Sequence, residues 1–244
     1  MIIKYLNILV FVVMVAMNFL ANALPINNKT TGQLSAQYPN LFVPAGITFS
    51  IWGIIYLMLL AFLVIQFLGQ NKDLVAAIGW AFAISCLLNA AWIISWHYEM
   101  LPLSLIIMLG LLVALIIINQ RLLHFSPGFP RAVFGIYLGW ICIATIANVT
   151  ALLVDYNWGQ WGLTQQSWAI IMIAAGAIIS GVAMYKLDNP FMGLAVMWAF
   201  IGIILNRQSD YPSIAIMAFI GVAAIGAVTL ILLYRQLSGT SMSV

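Results

Sequence analysis

Long apolar segments alternate with short polar ones along the chain. A transmembrane helix needs about 20 predominantly apolar residues, and the sparse charges mark where such segments end. The pattern predicts an all-α polytopic membrane bundle with eight spans, at residues 4–24, 44–68, 74–97, 101–123, 132–155, 166–185, 190–206 and 211–234. A transmembrane β-barrel is excluded, because its strands would appear as alternating segments of roughly ten residues.

The composition excludes several other classes of protein. Apolar residues make up 65% of the chain and charged residues 5%, whereas soluble domains have about 45–50% and about 25%. A soluble enzyme, a disordered chain and a disulfide scaffold are therefore excluded. The net charge of +3 does not indicate nucleic-acid binding, because no two basic residues are adjacent. Cys86 and Cys142 lie within apolar runs, which argues against a disulfide framework or a zinc site.

The basic residues predict the orientation in the membrane. If the N-terminus is inside, the inner side carries six of them: Lys4, Lys72, Arg121, Arg131, Lys186 and Arg235. The outer side then carries only Lys29 and Arg207, as the positive-inside rule requires. Both termini are expected inside and the long loop 25–43 outside. We expect a multi-pass protein of the bacterial cytoplasmic membrane.

Residues 1–23 allow a second interpretation. Lys4, the apolar stretch after it and Ala21-Asn22-Ala23 are similar to a secretory signal with its small-residue cleavage site. Cleavage would remove the first span and leave seven spans in the same orientation.

Aromatic and amide side chains share helix faces in three of the predicted spans. At helical spacing, Trp52 pairs with Tyr56 in the second span, Asn89 with Trp92 in the third, and Trp140 with Ala144 and Asn148 in the fifth. Buried amides must find partners inside the bundle, so Asn18, Asn89 and Asn148 are expected to face inward.

These side chains also fall at a common depth. With the predicted orientation, Trp52, Asn89 and Asn148 lie roughly 10–15 Å below the outer boundary of the membrane. An apolar and aromatic pocket with a few polar groups is the usual form of a small-molecule site. The alternative is that the asparagines only bond helix to helix. The residues alone leave both interpretations open.

Other tryptophans and tyrosines lie near the outer ends of spans or in the second long loop, 156–165. Such rings favour the membrane–water interface. We interpret the following residues as an interfacial belt: Trp96, Tyr98, Tyr156, Trp158, Trp161 and Trp168.

Small residues recur every four positions in two spans. Ala77, Ala81 and Ser85 form one ridge and Gly135 and Gly139 another. Such ridges allow close helix packing. Packing within the chain is one interpretation, and a homodimer through Ala77, Ala81 and Ser85 is the other.

Three stretches resemble the TspO/MBR family, also called tryptophan-rich sensory proteins or translocator proteins. The second span begins with Pro39-Asn-Leu-Phe-Val-Pro44 and Trp52-Gly-Ile-Ile-Tyr56, which is similar to the family's loop prolines and W-G-x-x-Y. The third has Leu88-Asn-Ala-Ala-Trp92, similar to L-N-x-x-W. The fifth has Tyr137-Leu-Gly-Trp140 and Ala144-Thr-Ile-Ala-Asn148, similar to Y-L-x-W-x-x-x-A-T-x-x-N.

The resemblance covers residues 4–157 and implies a five-helix core with a ligand pocket beneath loop 25–43. It favours retention of the first helix. We therefore expect two parts: the five-helix core with its outer loop, residues 1–157, and an extension of three helices, residues 158–244. By motif match, the ligand-binding positions are Trp52, Tyr56, Asn89, Trp92, Trp140, Ala144 and Asn148, with Pro39 and Pro44 in the lid loop.

The family binds tetrapyrroles such as porphyrin and haem, and some members bind sterols. The resemblance therefore implies a porphyrin or haem as ligand, and no cofactor is required. The chain departs from the family in its lid, where Leu41 and Gly46 replace common tryptophans and Val43 replaces a proline. These changes weaken the expectation of tetrapyrrole stacking more than the expected fold.

The leading hypothesis is a membrane receptor or carrier for a lipophilic small molecule, with a sensing or transport role. One alternative is a porphyrin-degrading enzyme, although the sequence contains no recognisable catalytic constellation or metal-ligand cluster. The other is a membrane interaction or regulatory module that uses the C-terminal helices.

Overall fold

The computed structural model describes residues 2–23 and 26–238, and these residues form nine α-helices. All eight predicted spans are confirmed as apolar helices. The helices are α1 (Ile2–Ala23), α2 (Thr31–Gln37), α3 (Ile51–Ile65), α4 (Lys72–His97), α5 (Leu101–Leu122), α6 (Phe129–Asp155), α7 (Gln165–Lys186), α8 (Phe191–Arg207) and α9 (Pro212–Leu237).

Seven helical segments have the length and hydropathy of membrane spans, with 20 to 27 residues each. The second of them comprises α3 and the 3₁₀ turn Gly46–Ser50 before it. Helix α8 is shorter, with 17 residues. At 1.5 Å per residue it is about 25 Å long, which is at the lower limit for crossing the apolar core of a bilayer.

Five of the helices form a closed ring. Going round it, α1 packs on α3, α3 on α6, α6 on α5, α5 on α4, and α4 on α1. The remaining long helices lie outside this ring, where α8 packs on α6 and α9 packs on both α8 and α7. The end of the bundle that carries loop 25–43 is called the outer end here, following the predicted orientation.

The short helix α2 lies in loop 25–43 and was not predicted. Its start is a capping box, in which the Gln33 amide N–H donates to Thr30 Oγ1 at 3.3 Å and the Thr30 amide N–H donates to Gln33 Oε1 at 2.8 Å. The Thr-x-x-Gln pattern is a known helix-start signal, and it is visible in the sequence.

Both ridges of small residues are used for packing within the chain. A side chain on Gly139 would meet the backbone carbonyl of Met192, so α6 and α8 touch almost backbone to backbone. On α4, Ala81 and Ser85 are buried, and the Arg121 guanidinium of α5 donates to the Ala77 carbonyl at 2.6 Å. A homodimer through Ala77, Ala81 and Ser85 stays a hypothesis without support from this packing.

The inner ends of α5, α6 and α8 are joined by a buried polar cluster. The Arg131 guanidinium lies 3.8 Å from the Asp188 carboxylate, and both side chains are buried. The Asn189 amide donates to Asn119 Oδ1 at 2.8 Å and to the Arg131 carbonyl at 2.9 Å. The sequence placed Arg131 just before its span, but α6 begins at Phe129, so this charge lies in the first turn of the helix.

We predict that Gly139→Ala destabilises the bundle. The added methyl group would push α8 away from α6, and overpacking of this kind costs about 1–3 kcal/mol. Chemical unfolding of the purified protein in detergent measures the loss. Gly110→Ala on α5 is the matched control, because its methyl group would lie at an ordinary 3.5 Å from the Leu88 side chain. Equal stability of the two variants would contradict the packing described here.

The orientation is tested by two isosteric substitutions at exposed serines. Ser126 lies in the inner loop between α5 and α6, and Ser209 lies in the outer loop between α8 and α9. We expect a membrane-impermeant maleimide to label Ser209→Cys in intact cells and Ser126→Cys only after cell lysis. The native Cys86 and Cys142 are buried, so they give little background. The reverse labelling pattern would place the termini outside.

Candidate functional site

A cavity of about 930 Å³ lies in the outer half of the ring, below α2. Helices α1, α2, α3 and α4 and the segment before α3 contribute its walls. The lining residues are Val15, Asn18, Phe19, Asn22, Ala23, Thr30, Thr31, Gly32, Ser35, Ala36, Val43, Pro44, Gly46, Phe49, Trp52, Gly53, Tyr56, Trp92 and Ile93. We call it the main cavity.

The main cavity exists because α1 and α3 form a wedge. Their inner ends meet, where the Asn7 amide donates to Gln66 Oε1 at 3.2 Å and the Gln66 amide donates to the Lys4 carbonyl at 3.1 Å. Towards the outer end, the space between the two helices is the cavity. Phe19 on α1 and Gly53 on α3 both line it and are exposed, so it opens on a face of the bundle that would contact lipid.

A row of stacked aromatic rings forms one wall. The ring centroids are 5.6 Å apart for Tyr56 and Trp52, 6.4 Å for Trp52 and Trp92, and 6.1 Å for Trp92 and Trp96, with interplanar angles of 22°, 28° and 23°. The sequence paired Trp52 with Tyr56 on one helix face, and in the structure their rings stack. The row therefore links α3 to α4, two helices that are not neighbours in the ring.

Trp140 supports the row from behind. Its ring meets Trp52 edge to face at 6.1 Å, and Phe49 meets Trp140 in the same way at 6.1 Å. Such contacts fix the orientation of each ring more firmly than apolar burial alone.

A smaller cavity of about 80 Å³ lies on the other side of Trp52 and Trp92. Trp140, Ala144 and Asn148 line it from α6, as their shared helix face predicts. Val43, Pro44 and Phe49 line both this cavity and the main one. The two spaces are therefore neighbours, divided by a thin wall of side chains.

Several polar atoms in the cavity walls are buried without a hydrogen-bond partner. They are Thr31 Oγ1, Tyr56 Oη, Trp92 Nε1, Trp96 Nε1, Trp140 Nε1 and Asn148 Nδ2. The three indole nitrogens and the amide nitrogen are donors only, whereas the phenol can also accept. Unsatisfied buried donors are costly, and in a cavity wall they favour an acceptor oxygen on whatever occupies the space.

Asn89 has a different position from the one that its motif implies. It is fully buried and lines neither of these cavities. Its amide donates to Tyr137 Oη at 2.9 Å, and its carbonyl oxygen accepts from Asn18 Nδ2 at 2.7 Å. Asn89 thus joins α4 to α6 and α1. The prediction that Asn18, Asn89 and Asn148 face inward is confirmed, since all three are buried.

The two lid prolines lie on different sides of the lid. Pro44 lines both cavities, whereas Pro39 lines a separate crevice of about 50 Å³ at the outer surface, beside Trp158 and Trp168. Trp158, Trp161 and Trp168 cluster there, with centroids 4.7–5.5 Å apart, and Trp161 is 83% exposed. This position suits interfacial rings.

The belt interpretation is wrong for Trp96, which is buried at the end of the aromatic row. The sequence did contain a sign of this position, because Trp96 follows Trp92 by four residues and so shares its helix face. Sequence reasoning also missed Thr31 and Ser35 of α2, because α2 itself was not predicted.

Glu99 bonds two residues of loop 25–43, the lid over the main cavity. Its carboxylate pairs with Lys29 Nζ at 2.5 Å and accepts a hydrogen bond from Tyr38 Oη at 3.4 Å. Burial, together with the nearby Glu99 charge, raises the pKa of Tyr38 to about 12. The phenol therefore keeps its proton and its role as donor at neutral pH.

A polytopic helical membrane protein with an aromatic cavity under an outer lid is the class that this fold and site define. A family model described as TSPO-like protein matches residues 4–231, and the chain belongs to this TSPO-like family. The match includes α7 and α8 and most of α9, so it extends beyond the five helices that carry the motifs. The division into a core, 1–157, and an extension, 158–244, stays a prediction. No curated protein and no solved structure significantly matches the chain.

We predict that Asn18 and Asn89 are energetically coupled. Helix–helix hydrogen bonds in membranes contribute about 0.6 kcal/mol on average and up to about 1.7 kcal/mol. A double-mutant cycle of Asn18→Ala and Asn89→Ala, followed by unfolding in detergent, should give a coupling energy in this range. Asn22→Ala paired with Asn89→Ala is the control, because the Asn22 amide bonds the Asn18 carbonyl instead. Strictly additive losses for Asn18 and Asn89 would contradict the contact.

Proposed function

We propose that this TSPO-like protein is a membrane receptor or carrier for a lipophilic small molecule, tetrapyrrole-like or sterol-like, that binds in the main cavity. The observation that carries the proposal is a cavity of about 930 Å³ with a wall of stacked aromatic rings. Small-molecule sites commonly enclose about 300–1,000 Å³ and combine apolar walls with a few polar groups.

The wall chemistry supports a flat, largely apolar ligand that bears acceptor oxygens. Trp52 and Trp92 offer ring faces, and the unpartnered Trp92 indole N–H and Tyr56 hydroxyl offer polar contacts. A porphyrin carries such oxygens in its carboxylates and a sterol in its hydroxyl group. Gly46, which stands where the family commonly has tryptophan, lines the cavity with open space above its Cα and leaves room for a wide ligand.

The described lining residues of the main cavity include no His, Cys or Met side chain. Tyr56 is the described lining side chain of a type that can bind haem iron, and we propose that a tetrapyrrole is held mainly through its ring and its carboxylates. Each of the lining side chains that the structure describes is uncharged, which also suits a sterol.

The wedge between α1 and α3 supports a path from the outer half of the membrane. An apolar ligand dissolved in lipid would reach Phe19 and Gly53 without crossing water. Such a path serves a receptor and a carrier equally well. For location, we propose a bacterial cytoplasmic membrane, with the cavity facing the outer leaflet.

The proposal predicts that Gly53→Phe blocks binding. Gly53 lines the cavity, and a side chain built there meets no other atom within 4 Å, so the ring would fill ligand space without disturbing the fold. Protoporphyrin or cholesterol is titrated into the purified protein and binding is followed by tryptophan fluorescence. The Kd of the Gly53→Phe protein should be at least about tenfold higher than that of the wild type, because the added ring occupies space that the ligand needs.

Leu57→Phe is the matched control for this titration. Leu57 lies one turn further along α3, is 69% exposed and is not among the lining residues. This variant should bind like the wild type. Saturable binding that is equal in the wild type and both variants would place the ligand elsewhere, and a wild type that binds neither ligand would refute the proposal.

A further inference from the structure

The segment between α2 and α3 is held by α8, a helix that follows it by about 150 residues in the sequence. We call residues 40–48 the strap. Val43, Pro44 and Gly46 of the strap line the main cavity, so the position of the strap sets the shape of one wall.

Trp198, Gly202 and Asn206 lie at four-residue spacing on one face of α8, and each holds the strap backbone. The Trp198 indole N–H donates to the Thr48 carbonyl at 2.8 Å. The Gly202 carbonyl accepts from the Ala45 amide at 2.9 Å. The Asn206 amide donates to the Val43 carbonyl at 3.0 Å.

These three contacts define a register. Going up α8 towards the outer end, its contacts run backwards along the strap, from Thr48 through Ala45 to Val43. Gly202 allows the close approach, since a side chain there would meet Thr48 Oγ1 and the Pro44 side chain.

Arg207 adds the next contacts along the strap. Its Nε donates to the Leu41 carbonyl at 3.1 Å, and its Nη2 donates to the Asn40 carbonyl at 3.0 Å. The planar guanidinium can serve several carbonyls at once, which a lysine ammonium on its flexible stem does less well. Ala45 and Thr48 lie within the second predicted span, where backbone groups need hydrogen-bond partners, and α8 supplies them.

We propose that Gly202, Asn206 and Arg207 are positioning residues for the ligand cavity, because they fix the strap so that Val43 and Pro44 form its wall. This inference rests on the proposed function of the cavity. It gives the C-terminal helices a role in the site, although none of the lining residues of the main cavity lies on them.

The experiment compares Arg207→Gln and Asn206→Ala with Gln208→Ala, an exposed neighbour, as control. Hydrogen–deuterium exchange of peptides covering residues 40–48 reports on the Ala45 amide. Affinities for protoporphyrin and for cholesterol are measured in parallel, and their ratio is the second readout. A merely structural loss would weaken both ligands equally, whereas a displaced wall changes their ratio.

We expect strap exchange about tenfold faster in both variants and a change of about tenfold in the affinity ratio, with the Gln208→Ala protein unchanged. Unchanged exchange would overturn the inference, because α8 would not be holding the strap. Faster exchange with an unchanged ratio would also overturn it, since the strap would then not shape the cavity. A wild type that binds neither ligand refutes the proposed function and this inference together, whereas wild-type binding with unaltered variants refutes the inference alone.

Discussion

The hydrogen bonds of one buried amide determine the geometry of the outer half of the ring. In lipid, apolar side chains gain little by contacting one another, so polar contacts and close packing decide where helices lie. The Asn89 side chain bonds Asn18 on α1 and Tyr137 on α6. Because α1 meets α3 near the inner end, its outer half depends on α4 for support. The outer half of α1 packs against α4 and diverges from α3, and the main cavity is the space between α1 and α3.

The sequence predicted the spans well, since hydropathy alone marks a membrane helix. It also predicted which residues share a helix face, so Trp52 with Tyr56, and Trp140 with Ala144 and Asn148, are found together. The spacing of residues along a helix does not determine which other helix their shared face packs against. Asn89 shares its face with Trp92, yet Asn89 bonds two other helices while Trp92 lines both cavities.

The strap shows a second limit of sequence reasoning. Trp198 lies well inside its predicted span, and no local pattern explains why an indole is there. Its partner is the Thr48 carbonyl, a backbone group about 150 residues earlier. Pairings across that distance depend on how helices α6 and α8 pack, and the packing in turn depends on Gly139. Contacts of this kind become visible only when the whole bundle is assembled.

The buried pair of Arg131 and Asp188 has a consequence for biosynthesis. Arg131 enters the membrane with α6, while Asp188 and Asn189 emerge from the ribosome only after α7 has been made. A buried charge without its partner is strongly destabilising. A nascent chain with only its first five spans inserted therefore carries an uncompensated cation and an unpaired Asn119 oxygen at its inner end. The turn between α7 and α8 supplies the partner of each group, so the inner end of the bundle is completed only after the sixth span has been made.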